Sequence, residues 1–127
     1  MKIQNLIIGA FILMSSVSFG QETDEERECK RMRFLAGEEL KMKNYPAAAS
    51  YYLKGEKICG GYDKANYNRT IGVLRNVIAT SKDKDAKTAY IDTLISVYDR
   101  AEKAGAYDPK NDLIRGTYII QSSNRIV

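Results

Sequence analysis

The chain has 127 residues, of which 44% are hydrophobic and 28% are charged, and it contains no His and no Trp. This length supports one domain, and the composition excludes both wholesale disorder and a membrane-embedded bundle. Without His, the commonest general base and metal ligand is missing, so we expect no metal and no cofactor. A net charge of +4 is too small to indicate a nucleic-acid binder.

Residues 1–20 have the layout of a secretory signal peptide. Lys2 gives a positive start, residues 6–14 are a short apolar run, and a stretch of small residues ends at Gly20. The apolar run is too short to span a bilayer of about 30 Å as a helix. We therefore expect cleavage after Gly20, location in the periplasm or at the outer membrane, and no membrane span afterwards. An uncleaved membrane anchor is the alternative.

The next segment predicts two helices joined by a short turn. Apolar and small residues recur at helical spacing after an acidic start, and Asn44 followed by Pro46 is typical of a new helix. Gly60 and Gly61 supply the left-handed conformation that often follows a helix end. Two helices with so short a connection run antiparallel.

The predicted hairpin bears on whether the two cysteines can form a disulfide. Cys29 lies near the start of the first helix and Cys59 at the end of the second, so an antiparallel pair places them side by side. In an oxidising compartment they can form a disulfide. Two separate buried thiols are the alternative.

Three further helices follow, and no alternating strand pattern is found. Helical spacing predicts elements over residues 64–81 and 85–104, the latter ended by Gly105, and Asp108 with Pro109 begins a fifth helix. We expect an all-α domain of antiparallel hairpins over residues 21–127. Its parts are a first hairpin at about 24–60, a second at about 63–105 and the start of a third at 108–127.

The fourth helix has two apolar faces, which is typical of a helix with neighbours on both flanks in stacked hairpins. The fifth helix has no partner after it, and an unpaired amphipathic helix leaves apolar surface in water. Either the protein dimerises through this helix, or the sequence is the N-terminal portion of a longer array. We favour the longer array.

Within residues 29–60, Leu35 and Ala36 are followed by Tyr45, Ala48, Tyr52 and Gly55, and this pattern resembles a tetratricopeptide repeat. In that family a large and a small residue on the first helix pack against an alanine, an aromatic and a small residue on the second. The second hairpin exceeds the family's period of about 34 residues and matches at fewer positions. Residues 91–99 are similar to stretches of longer, exported bacterial tetratricopeptide proteins. The repeat positions are Leu35, Ala36, Tyr45, Ala48, Tyr52 and Gly55, with Gly72 and Ala101 in the second hairpin.

The resemblance implies binding of another protein or peptide in a concave groove lined by the first helix of each hairpin. The groove candidates are the cations Lys30, Arg33, Lys41 and Arg69, which suit an acidic segment or a C-terminal carboxylate. A solvated basic face is the alternative. Aromatic side chains with a polar tip suit interfaces, and the candidates for recognition are Tyr51, Tyr62, Tyr67 and Tyr107.

The sequence favours a non-catalytic scaffold over an enzyme. No His is present to activate either cysteine, and the acidic pairs, such as Asp83 with Asp85, fall at helix starts and turns. We expect neither a nucleic-acid partner nor a small-molecule substrate. A small helical bundle that homodimerises, with a structural or inhibitory role, is the alternative function, and a carboxylate-dependent hydrolase is a third reading.

Overall fold

The computed structural model describes residues 22–124. The predicted signal peptide at 1–20 lies outside these residues. Within them the chain forms helices and no strand, which confirms the all-α prediction. The helices are α1 (Asp24–Lys41), α2 (Tyr45–Cys59), α3 (Lys64–Thr80), α4 (Lys84–Lys103) and α5 (Asp112–Asn124), with a 3-10 turn at Pro109–Asn111 before α5.

Each helix packs against the next one along the chain, from α1 to α5. The α1–α2 contact is the most extensive, and α2 packing on α3 joins the two hairpins. Within the described residues, the Cα atoms of α2 and α4 do not approach within 8 Å of each other. This order is compatible with stacked hairpins, while the tetratricopeptide assignment itself stays a prediction.

The helix boundaries follow from local chemistry. The Asp63 carboxylate accepts a hydrogen bond from the Asn66 backbone N–H at 2.8 Å and caps α3. Asn44 lies at the cap position of α2, as the sequence suggests, but its side chain makes no cap hydrogen bond. Gly60 and Gly105 adopt φ values of 72° and 69°, the left-handed conformation expected after α2 and α4.

The structure confirms that the two cysteines meet. Cys29 on α1 and Cys59 on α2 form a disulfide with their Cα atoms 5.1 Å apart. The start of α1 therefore lies beside the end of α2, as expected for antiparallel helices. This bond closes the first hairpin at the end that also carries the α2–α3 turn.

The core runs along all four long helices and includes most of the predicted repeat positions. Ala36, Ala48, Tyr52, Gly55 and Ala101 are buried, while Leu35, Tyr45 and Gly72 are partly buried. The other buried apolar side chains of this core include Tyr67, Ile71, Leu74, Ile78, Leu94, Val97 and Tyr98.

Of the two glycines at repeat positions, Gly55 has close neighbours and Gly72 does not. A Cβ there would lie 2.3 Å from the Tyr62 hydroxyl and 3.1 Å from the Met32 Cβ, so a side chain has no room. Gly37, Gly72 and Gly116 do not mark a close approach of helices. A Cβ at any of these three would meet no atom within 4 Å, because the neighbouring helices leave open space there.

A candidate binding cleft between the second and fourth helices

A cavity of about 690 Å³ lies between the C-terminal halves of α2 and α4. Its volume falls within the roughly 300–1,000 Å³ of typical ligand sites. The helices α2 and α4 both pack on α3, and their Cα atoms stay more than 8 Å apart, so side chains such as Glu56 and Arg100 bridge the gap. The residues around it are Leu53, Glu56, Lys57, Gly60, Gly61, Tyr67, Thr93, Arg100, Lys103 and Ala104.

Helical spacing explains why these residues share one surface. Leu53, Glu56, Lys57 and Gly60 are separated by the three- and four-residue steps that place side chains on one face of α2. Two helical turns separate Thr93 from Arg100 on α4, so these two face the same side. The cleft is therefore built from two helix faces and the left-handed turn after α2.

A charge pair between the buried Glu56 and the half-exposed Arg100 forms part of the wall of the cleft. Glu56 is only 6% exposed, and its carboxylate accepts two hydrogen bonds from Arg100, from Nε at 2.7 Å and from Nη2 at 2.8 Å. The Tyr67 hydroxyl donates to the same carboxylate at 3.0 Å. One carboxylate on α2 thus connects α3 and α4, with the bidentate geometry that makes such pairs strong.

The pKa shifts around Glu56 follow from these contacts. The hydrogen bonds to Glu56 raise the pKa of Arg100 above its usual range, which outweighs the opposing effect of burial. Burial raises the pKa of Tyr67, and its hydrogen bond to the Glu56 carboxylate acts in the same direction. Arg100 therefore stays charged and Tyr67 stays neutral throughout the physiological pH range.

Two lysines at the rim give the cleft its outward charge. Lys57 and Lys103 are exposed and lie in the last turns of α2 and α4. Cations are favoured at this end of a helix by the backbone dipole. Within residues 22–124, neither lysine has an ion-pair partner. Because Arg100 and Glu56 neutralise each other, the accessible charge is positive.

Two of the proposed recognition tyrosines are core residues instead. Tyr67 is buried against Glu56, and Tyr62 is buried with its hydroxyl donating to the Tyr52 carbonyl at 2.7 Å. Their rings meet edge to face with centroids 5.7 Å apart. Tyr62 packs against α2 beside Gly55, and Tyr67 also lines the cleft.

The four cations predicted to line a groove lie on two separate helices. Lys30 pairs with Glu22, and this hydrogen bond lowers the pKa of Glu22; Lys41 pairs with Glu38 at 3.0 Å. The structure does not bring α1 and α3 together, since no Cα atoms of their described residues lie within 8 Å.

The other two groove candidates have local surroundings of their own. Arg33 is partly buried on α1, and its Nε atom has no hydrogen-bond partner within residues 22–124. Arg69 on α3 donates to the Asn66 side chain at 3.0 Å, one turn earlier on the same helix. Use of these four residues for binding stays a prediction.

Sequence reasoning missed the cleft residues Glu56, Arg100, Lys57 and Lys103. One signal was present: Glu56 lies beside Gly55 on the otherwise apolar stripe of α2, where a buried acid needs a cationic partner. Nothing in the sequence identifies Arg100, 44 positions away, as that partner.

No group of three or more His, Cys, Asp or Glu in the described part of the chain is placed to hold a metal ion. None of the helices between residues 22 and 124 is long and apolar enough to cross a membrane. Comparisons of the chain with protein-family models, with curated proteins and with solved structures gave no match.

Proposed function

We propose that this protein is an exported, non-catalytic interaction module of tetratricopeptide-like hairpins that binds a segment of another protein. The observation that supports this best is the cleft between α2 and α4, which the fold itself forms. A binding surface that is already formed costs less ordering on association. The cleft replaces the predicted groove along α1 and α3 as the leading surface, because Lys30 and Lys41 form ion pairs with acids near them.

The chemistry of the cleft supports binding rather than catalysis. A general base needs a free lone pair directed at a substrate, and a nucleophile needs such a base beside it. The Glu56 carboxylate accepts three hydrogen bonds from Arg100 and Tyr67. Both cysteines are in the disulfide. Besides Thr93 and the half-exposed Arg100, the groups around the open space are lysines and apolar side chains, which suit recognition.

A peptide-display selection tests the proposal. We expect peptides selected on the purified protein to shift the NMR signals of cleft residues and to bind at least tenfold more weakly to Ala104→Trp, whose indole would occupy the cleft. Ala79→Trp is the matched control, since Ala79 is an exposed alanine on α3 outside the cleft. Failure to select any peptide, or equal effects of both variants, would contradict the proposal.

Export is a separate part of the proposal. The pattern of residues 1–20 and the Cys29–Cys59 disulfide both favour an oxidising compartment. We expect cell fractionation to recover the protein outside the inner membrane and N-terminal sequencing to begin at Gln21. Recovery in the cytosol with an intact Met1 would contradict export and leave the binding proposal standing.

A second function is favoured by one observation, the exposed apolar side chains of α5. Leu113 is 84% exposed and Ile120 is 62% exposed, and both lie on the face away from α4. A homodimer joined through this face would hide them, in a structural or inhibitory role. Sedimentation equilibrium distinguishes the two: a dimer abolished by Ile120→Glu supports this second function, and a monomer at all concentrations excludes it.

A further inference from the structure

We infer that the segment bound in the α2–α4 cleft is acidic, with an apolar side chain between its carboxylates. This inference rests on the proposed function, because it names the chemistry of the ligand at the same cleft. Lys57 and Lys103 contact the carboxylates at the rim. The apolar side chain enters the space bounded by Leu53, Tyr67 and Ala104.

The charges around the cleft carry the first step of the argument. Four charged residues surround the cavity: Glu56, Lys57, Arg100 and Lys103. Glu56 and Arg100 form a bidentate pair and contribute little net charge outward. The two lysines lack an acidic partner among the described residues, unlike Lys30 and Lys41 on α1. The surface is therefore complementary to a ligand with at least two negative charges.

The helix ends determine where these charges act. Both helices end at the cleft, so the partial negative charge of their last carbonyl groups opposes an anion there unless nearby cations outweigh it. Lys57 and Lys103 lie in the last turns of the two helices and supply positive charge at this end. Carboxylates are thus held at the rim, where solvent screens them, so the acidic preference should weaken as salt rises.

The lining also argues for a protein segment over a small anion. The space behind the lysines is bounded mainly by carbon atoms, including Leu53, the Tyr67 ring edge and Ala104. Phosphate or citrate has no apolar group to bury there and would gain only rim contacts. A segment that combines carboxylates with a leucine or phenylalanine satisfies both parts of the cleft.

Fluorescence anisotropy with two blocked peptides tests this inference. The probes are Glu-Glu-Leu-Phe-Glu-Glu and Gln-Gln-Leu-Phe-Gln-Gln, with inorganic phosphate and citrate as competitors. We expect the acidic peptide to bind about tenfold more tightly at low salt and the preference to fall below about threefold in Lys57→Met/Lys103→Met. Lys82→Met/Lys87→Met removes two exposed lysines outside the cleft, so it matches the loss of net charge and should keep the preference.

The outcomes separate the two proposals. Equal binding of both peptides, with signals shifted in the cleft, would overturn the acidic preference and leave the binding function in place. If both double variants lose the preference for the acidic peptide equally, the inference fails as well, because net charge would then explain the preference. Competition by citrate or phosphate as strong as by the peptide would indicate a small anion. If neither these peptides nor any displayed peptide binds, the proposed function itself fails.

Discussion

The first hairpin and the last helix of this protein are held in opposite ways. The α1–α2 pair is closed by the Cys29–Cys59 disulfide and packs through alanines that are completely buried, such as Ala36 and Ala48. Helix α5 has no buried residue, and Leu113 near its start is largely in solvent. The hairpin is thus stabilised by a covalent bond and short-range apolar packing.

Polar contacts hold α5 instead. Arg115 on α5 is only 15% exposed and pairs with Asp99 at 2.7 Å and Glu102 at 2.8 Å, both on α4. Its guanidinium also lies 4.9 Å from the ring centre of Tyr107. Burial opposes the charge, but the hydrogen bonds to Glu102, Tyr107 and Asp99 outweigh it and raise the pKa of Arg115.

A second polar network fixes the turn before α5. The Asn68 amide on α3 donates to Asp108 at 3.3 Å, and the buried Asn111 amide donates to Asn68 at 3.2 Å. The Lys110 backbone N–H is the main cause that lowers the pKa of Asp108 below its usual range. Directional contacts of this kind place α5 without burying much apolar surface, so α5 should open before the hairpin does.

Removal of the disulfide should give the largest effect. Cys29→Ser/Cys59→Ser should lower the free energy of unfolding by about 3–4 kcal/mol, because the bond closes a loop of 30 residues and its loss restores entropy to the unfolded chain. Urea unfolding followed by circular dichroism measures the change. Wild type with reductant should match the variant, and identical midpoints for the variant and the oxidised protein would contradict the covalent role.

Gly55→Ala should have the next largest effect, a loss of about 2 kcal/mol. The added methyl would displace the Tyr62 hydroxyl and break its hydrogen bond to the Tyr52 carbonyl. Gly37→Ala is the matched control on α1, where the methyl meets no atom within 4 Å and should stabilise the helix by about 0.5–1 kcal/mol. Opposite signs are the expected result; a loss of stability in both variants would count against the close contact at Gly55.

These two regions also show what the sequence can predict. The hairpin was predictable because its signals are local: helical spacing, Pro46, the Gly60 turn and the cysteines at matching ends. Spacing also predicted the existence of five helices. The Arg100–Glu56 and Arg115–Asp99 pairs were not predictable, since each depends on how separate helices rotate against one another. Periodicity identifies the buried face of a helix but not which charged neighbour it meets.

Arg115→Met tests the looser attachment of α5. We expect amide hydrogen exchange in α5 to become about tenfold faster, because the two ion pairs to α4 are lost, while the exchange of α1 and α2 stays unchanged. Lys87→Met is the control, as Lys87 is exposed on α4 and has no ion pair among the described residues. Uniform acceleration across all helices would show instead that α5 unfolds together with the rest.

The smallest effect is expected from Tyr98→Phe, at the buried contact between α4 and α5. Tyr98 is completely buried, and its hydroxyl has no hydrogen-bond partner within residues 22–124. Removal of the Tyr98 hydroxyl should change the free energy of unfolding at neutral pH by less than about 0.5 kcal/mol. Tyr62→Phe is the comparison: it loses the hydrogen bond to the Tyr52 carbonyl and should lower the free energy of unfolding by about 1–2 kcal/mol.

Alkaline pH should reveal the role of the Tyr98 hydroxyl. Burial raises the pKa of Tyr98 to about 12, so between pH of about 10 and 12 the unfolded chain releases this proton while the folded chain keeps it. Stability from this group is complete below pH of about 10 and falls as pH rises toward 12. Urea midpoints across this range should therefore decline less steeply for Tyr98→Phe than for wild type. Parallel declines would mean that Tyr98 titrates as in the unfolded chain and that the α4–α5 contact is open to solvent.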